Sequence, residues 1–193
     1  MRSAEFDREQ VLRAAIEAFM AKGYNKTSMQ DLKQATGLHP GSIYCAFENK
    51  QGLLIAALEQ YSQDRAAEFR QFFTDKSSIL TGLRKYLAHL VDECVSCDPH
   101  KACLAQKALN ELAAQDEAAE QQIRTLLNDW QKGFVDVFRA AQANGEVSNE
   151  RTAEHRAQCF VMGIYGLRTY ANTHPEPELL KELAAQLFND TCA

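Results

Sequence analysis

Four side chains that bind soft metals or change redox state stand three residues apart: Cys94, Cys97, His100 and Cys103, a C-x2-C-x2-H-x2-C run. Thiolate and imidazole are ligands for zinc and other thiophilic ions. The spacing is not that of a standard zinc module, and Pro99 interrupts it. The surroundings split the group. Cys94 and Cys97 lie beside Asp92, Glu93 and Asp98, at what reads as the end of a helix. The negative end of the helix dipole and these acidic neighbours favour the neutral thiol, the reverse of a nucleophilic C-x-x-C at a helix N-terminus. The same charges suit a bound cation. Cys103 follows His100 and Lys101 at what reads as the start of the next helix, where the field favours thiolate. It is the best candidate for a reactive thiol. Three readings stay open: structural or incidental cysteines, a thiol that senses oxidants or electrophiles, and a metal site. No catalytic constellation accompanies them. G-x-S-x-G, H-E-x-x-H and a phosphate-binding loop are absent, so neither an enzyme nor a cofactor is expected.

The elements that carry these residues read as helices. The 193 residues contain only 4 Pro and 9 Gly, and long stretches rich in Ala, Leu, Glu, Gln and Lys favour helix. Leu12, Ile16, Phe19 and Met20 fall on one helical face, as do Phe134, Val137, Phe138 and Ala141. No alternating run of β-branched residues reads as a strand. The spacing predicts an all-α chain of about nine helices: from near Phe6 to Lys22, Thr27 to before Gly37, Pro40 to near Phe47, Lys50 to Phe73, Ser78 to Cys97, Ala102 to Ala113, Glu117 to Asn144, Glu150 to Asn172 and Pro177 to Asn189.

No apolar run is long enough to span a membrane. No apolar signal core follows Met1, so a cytoplasmic, reducing setting with free thiols is expected. The net charge of -5 is unevenly spread: residues 1–50 carry 7 Lys/Arg against 6 Asp/Glu, and residues 51–193 carry 14 against 20. A near-neutral head on an acidic body permits contact with a polyanion through the head only.

The head contains the most informative stretch. Thr27-Ser28-Met29-Gln30 fits a capping box in which Thr27 caps and Gln30 reaches back. Gly37 supplies a tight turn. Pro40 suits the first turn of a helix, where its missing N–H costs nothing. Gly41 and Ser42 keep that start small, and Ile43 and Phe47 anchor it inward. Two short helices joined by a tight turn, the second with a small polar N-terminus, describe a DNA-reading helix-turn-helix.

The run Gly23-Tyr24, Thr27-Ser28-Met29, Asp31-Leu32, Ala35-Thr36-Gly37, Gly41-Ser42-Ile43-Tyr44, Phe47 and Lys50, preceded by Ala14-Ala15 and Phe19, resembles the N-terminal domain of TetR/AcrR-type transcriptional regulators. The resemblance covers about residues 6–60. It implies a helix-turn-helix domain over residues 1–50 and a helical effector-binding and dimerisation domain over 51–193. It implies that Thr27 and Ser28 touch a phosphate. His39, Pro40, Gly41 and Ser42 would begin the recognition helix, Tyr44 would contact backbone or base edge, and Lys50 would pair with phosphate. Helix N-termini and lysine suit phosphate on physical grounds too. One departure is Cys45-Ala46 after the tyrosine, where the family often carries larger or polar side chains. It leaves fewer donors for base edges and shifts readout toward His39, Ser42 and apolar contact with thymine methyls.

The body must join two heads, because one short helix reads little DNA. The Cys159–Leu167 stretch is apolar nearly all round, and Leu179, Leu180, Leu183, Leu187 and Phe188 form a matching stripe. The last two helices are therefore expected to make a homodimer. On the family plan Phe69, Tyr86, His89, Leu90, Trp130, Phe134, Met162 and Tyr165 would line a pocket for a small effector; the same residues suit an ordinary helical core. The reading is a homodimeric regulator, a repressor released from a palindromic DNA operator by a small molecule. The alternative is a thiol- or metal-responsive regulator using Cys94, Cys97, His100 and Cys103. A remote alternative is a helical thiol or metal protein that does not bind DNA.

Overall fold

The computed structural model describes residues 6–74, 78–96, 103–112 and 116–193. Among them lie nine helices and no strand: α1 (Arg8–Lys22), α2 (Met29–Thr36), α3 (Pro40–Phe47), α4 (Lys50–Gln71), α5 (Ile79–Val95), α6 (Leu104–Leu112), α7 (Glu117–Ala143), α8 (Ala153–Tyr170) and α9 (Pro177–Cys192). None of these helices is long and apolar enough to cross a membrane.

The chain divides into two compact units, residues 1–65 with 102–127 and residues 66–101 with 128–193. The division falls within α4 and within α7. The first unit is built on the apolar face of α1. Leu12, Ala15, Ile16, Phe19 and Met20 are buried with Leu32 of α2, Ile43 and Phe47 of α3, and Leu53, Leu54, Ala57 and Leu58 of α4. Leu104, Ala105, Ala108 and Leu112 of α6, with Ala119 and Ile123 of α7, complete that core. Each fully buried Leu, Ile or Phe contributes about 1.5–3 kcal/mol. Arg13 fixes α1 to α4 by a forked pair, Nε and Nη2 donating to the Asp64 carboxylate at 2.9 and 3.0 Å.

The second unit packs α5 on α8 and α9. Leu83, Leu87, Leu90 and Val91 of α5 are buried with Phe134 and Phe138 of α7, Phe160 and Ile164 of α8, and Leu180 and Phe188 of α9. Charged side chains also lie inside it, Arg156 most deeply. Arg156 is 1 % exposed. Its Nη1 donates to the carbonyls of Thr191 and Ala193 at 2.6 and 2.8 Å, and its Nη2 to the carbonyl and hydroxyl of Ser148 at 3.0 and 2.9 Å. The cation thus sits against the negative end of α9, which offsets part of its burial cost.

Candidate nucleic-acid interface and effector unit

The turn between α2 and α3 is set by local chemistry. Gly37 takes φ 71°, the left-handed conformation that ends α2 without Cβ strain. Pro40 opens α3, and His39 caps it, its Nδ1 accepting from the Gly41 N–H at 3.3 Å. Ile43 and Phe47 turn inward and are buried, so the other face of α3 is left outside. Tyr44 lies on that face with 49 % of its surface exposed. His39, Gly41 and Cys45 are exposed, and Pro40 and Ser42 half-buried. A Cβ at Gly41 would meet only His39 Nδ1 at an ordinary 3.6 Å. Nothing among the described residues therefore requires glycine there.

The start of α2 differs from expectation. The cap is Ser28, not Thr27. Ser28 Oγ accepts from the Asp31 N–H at 3.1 Å, and Asp31 Oδ2 accepts from the Ser28 N–H at 2.8 Å, a complete capping box. Gln30 has no part in it. Thr27 is 1 % exposed, and its hydroxyl donates to the Gly23 carbonyl. A hydroxyl held inward by α1 cannot reach a phosphate, so Thr27 is a brace. Ser28 remains exposed at the helix start. Lys22 Nζ donates to Asp31 Oδ1 at 2.6 Å. Lys50, at the first turn of α4, is half-buried with its Nζ 4.3 Å from the centre of the Tyr24 ring. Burial lowers its pKa below the ordinary lysine value, against the pull of Glu111 and Asp31. Two further residues hold the head from α6. Lys107 Nζ donates to the Met20 carbonyl at 2.8 Å, and Glu111 accepts from the Asn25 N–H at 2.7 Å.

In the second unit most of the expected pocket residues do come together. Phe69 lies 5.3 Å from Tyr86 and 4.8 Å from Phe134; Trp130 lies 5.3 Å from Phe134 and 5.6 Å from Tyr165, ring centre to ring centre. These edge-on and tilted contacts are the favoured geometry of packed aromatics. Tyr86, Leu90 and Phe134 are buried core residues, and Phe69, Trp130 and Tyr165 are half-buried against them. His89 stands at the edge of the group, 5.5 Å from Phe72. Met162 does not join it. It is 68 % exposed, because α8 turns Phe160, Val161 and Ile164 inward and Met162 outward. Gly163 lets α9 approach, since a Cβ there would overlap Leu187, whereas a Cβ at Gly166 would meet nothing.

The cysteine run is split between the two units. Cys94 is buried in the core of the second; Cys103 is half-buried against the core of the first and immediately precedes α6. Cys97 and His100 lie outside the described residues.

Comparison with known proteins decides what the helix-turn-helix belongs to. The family model of bacterial regulatory proteins of the tetR family matches residues 11–57, and that of the tetracyclin repressor-like C-terminal domain matches residues 80–187. The chain belongs to the TetR family. It is 27 % identical over 180 residues to the HTH-type transcriptional repressor ComR of Escherichia coli K12, covering 93 % of this chain and 86 % of that protein. A TetR-family regulator from Agrobacterium tumefaciens superposes with a TM-score of 0.82 at 22 % identity, over 96 % of this chain and 97 % of the other. The fold is shared as well with a double cysteine mutant of the TetR-family regulator CifR, crystallised with a 26-base-pair operator (TM-score 0.78, 24 % identity, 97 % and 98 % covered). This TetR-family chain is accordingly a DNA-binding transcriptional regulator, and its family is not enzymatic.

Sequence reasoning missed three features of this TetR-family protein. Asp31 as the reciprocal partner of Ser28 was present as S-x-x-D, in a frame shifted by one residue from T-x-x-Q. Arg156 resembled any surface arginine, because its partners are carbonyls at the far end of α9. Glu68 gave no signal, and Glu93 stood only as an acidic neighbour of Cys94. The structure brings them to His89, whose Nε2 lies 2.9 Å from Glu68 Oε1 and 3.6 Å from Glu93 Oε1.

Proposed function

We propose that this protein is a homodimeric repressor that binds a palindromic operator through paired α3 helices and releases it when a small molecule occupies the second unit. DNA binding is assigned to residues 1–50, with Ser28, His39, Pro40, Gly41, Ser42, Tyr44 and Lys50 at the contact. Effector binding and dimerisation are assigned to residues 51–193. The observation that carries the reading is Tyr44. A large aromatic side chain left half exposed, on a helix anchored by Ile43 and Phe47, is available to a partner outside the chain. Gly41, exposed and without a side chain on the same helix, permits close approach of a backbone, which suits the major groove.

The homodimer is supported by the outward face of α8, where Met162 and Gly166 are exposed. A 68 % exposed Met in an apolar helix is accounted for if a second copy covers it. Effector binding is placed among Phe69, Tyr86, His89, Leu90, Trp130, Phe134 and Tyr165, an aromatic group with few polar tips. Release follows as a population shift: an effector that prefers the spacing of heads unable to bind DNA draws the equilibrium toward it. The α4 helix, which like α7 runs through both units, is the lever assigned to that shift.

Capture of fragmented genomic DNA by the purified protein, followed by sequencing, tests this reading. A small set of palindromic sites is expected. Uniform recovery of fragments, or sites without two-fold symmetry, would overturn it.

A further inference from the structure

We propose that Glu68, His89 and Glu93 form a site for a divalent first-row cation, bound through one imidazole nitrogen and two carboxylate oxygens. The inference goes beyond the repressor reading and does not depend on DNA binding. Each residue offers one ligand atom, and the atoms all lie within 4.8 Å of one another. Metal–ligand bonds of about 2.0–2.2 Å place neighbouring tetrahedral ligands roughly 3.4 Å apart. The observed 2.9 Å from His89 Nε2 to Glu68 Oε1 and 3.6 Å to Glu93 Oε1 bracket that separation. The two carboxylates lie within 4.8 Å of each other, so side-chain rotation would draw them in around a common ion.

Three observations favour a shared cation over a simple ion pair. First, His89 and Glu93 are four residues apart on α5, one above the other on the same face, and Glu68 on α4 supplies the third group from a different helix. Second, His89 Nε2 is buried from solvent yet makes no aligned hydrogen bond, although a carboxylate oxygen stands 2.9 Å away. A buried nitrogen close to an anion but off the hydrogen-bond axis is what a lone pair directed at a common centre produces, and such atoms call for a missing water or ion. Third, the outer partner that orients a metal-binding carboxylate is in place. Arg168, 9 % exposed, donates to Glu93 Oε2 at 2.7 Å, which leaves Oε1 turned toward His89.

The donor set selects the ion. One imidazole and two carboxylates suit Zn²⁺, Mn²⁺, Fe²⁺, Co²⁺ or Ni²⁺; with no sulfur they disfavour Cu⁺, and the imidazole disfavours Ca²⁺ and Mg²⁺. Three protein ligands leave at least one coordination position for water or for an oxygen of a bound effector. The adjoining Phe72, its ring 5.5 Å from both His89 and Tyr86, forms an apolar wall beside the cluster.

The test uses the full chain stripped of metal by a chelator and titrated with Zn²⁺ and with Co²⁺. One equivalent of each is expected to bind. The Co²⁺ spectrum should show d–d bands without a sulfur-to-cobalt charge-transfer band, which separates this site from the cysteines. Glu68→Gln, a change of nearly equal size and shape, and His89→Ala should each weaken Zn²⁺ binding by about tenfold or more. Circular dichroism checks that each variant folds, and Glu68→Gln decides the matter if His89→Ala does not. No binding, a sulfur charge-transfer band, or affinity unchanged by Glu68→Gln would overturn the assignment.

Discussion

Asp31 holds the start of α2 from two sides. Its carboxylate accepts from Lys22 Nζ at 2.6 Å and from the Ser28 backbone and hydroxyl at 2.8 and 2.7 Å. The Lys22 bond first, then the two from Ser28, keep its pKa well below the ordinary carboxylate range. A group whose folded pKa is depressed contributes stability that is present above its unfolded value and is lost as pH falls through the folded one. Asp31→Asn should therefore melt a few degrees below the native protein at pH 7. The gap should narrow as pH drops below 3.8, the ordinary value for this carboxyl. Thermal melts across that range check it. A gap that stays constant or widens in acid would show that the capping charge is not the source.

At this scale the sequence was legible where partners are near neighbours. Pro40 at the first turn of α3 and Gly37 after α2 follow from two or three residues of context. The misplacement of the cap at Thr27 has a plain cause. Thr27 and Ser28 both have a cap's chemistry, and what separates them is the Gly23 carbonyl that takes the Thr27 hydroxyl. The cluster of Glu68, His89 and Glu93 could not be read as one site, because only folding brings Glu68 of α4 against α5.

Among the helices, the fit of α5 against the end of α4 rests on Gly82. A Cβ there would lie 2.7 Å from the Phe72 carbonyl oxygen and 2.6 Å from the Phe73 ring. Backbone cannot yield as a side-chain tip can, so Gly82→Ala should destabilise by about 1–3 kcal/mol, the usual cost of overpacking. That loss appears despite the roughly 1 kcal/mol by which Ala favours helix over Gly. Gly133, inside α7, is the contrasting case. Its nearest neighbour would be Phe69 Cε1 at an ordinary 3.8 Å, so Gly133→Ala should stabilise by up to about 1 kcal/mol. Urea unfolding of both variants checks the pair, and a Gly82→Ala protein as stable as the native one would contradict the close approach.

Helix number and order were the most legible features of all, since periodicity and punctuation act locally. Pro40 and Pro177 begin helices, and Gly23 and Gly37 end them. Which face of α8 is outward was not legible. Its residues are apolar around most of the circumference, and only the packing of Phe160, Val161 and Ile164 leaves Met162 outside.

For the whole molecule the account is one of two surfaces serving one act. On the proposed reading, the α3 face would present Tyr44 to DNA, and the outward face of α8 would pair two copies so that two such faces meet one operator. The acidic balance of residues 51–193 disfavours phosphate contact there, and the near-neutral head permits it. That asymmetry was readable from charge counts alone. The composition of the second unit was less so, because an aromatic group such as Phe69, Tyr86, Trp130 and Phe134 is equally the lining of a pocket or the packing of a core.

The most direct test of the central claim is the binding of native protein and Tyr44→Ala to one captured palindromic site, followed by fluorescence anisotropy, with chain mass measured by light scattering at the same concentration. The account predicts a native complex with two-fold stoichiometry. It predicts an affinity at least about tenfold weaker in Tyr44→Ala, equivalent to roughly 1.4 kcal/mol, with both proteins dimeric. Unchanged affinity in the variant, or a native protein that binds the site as a monomer, would contradict it.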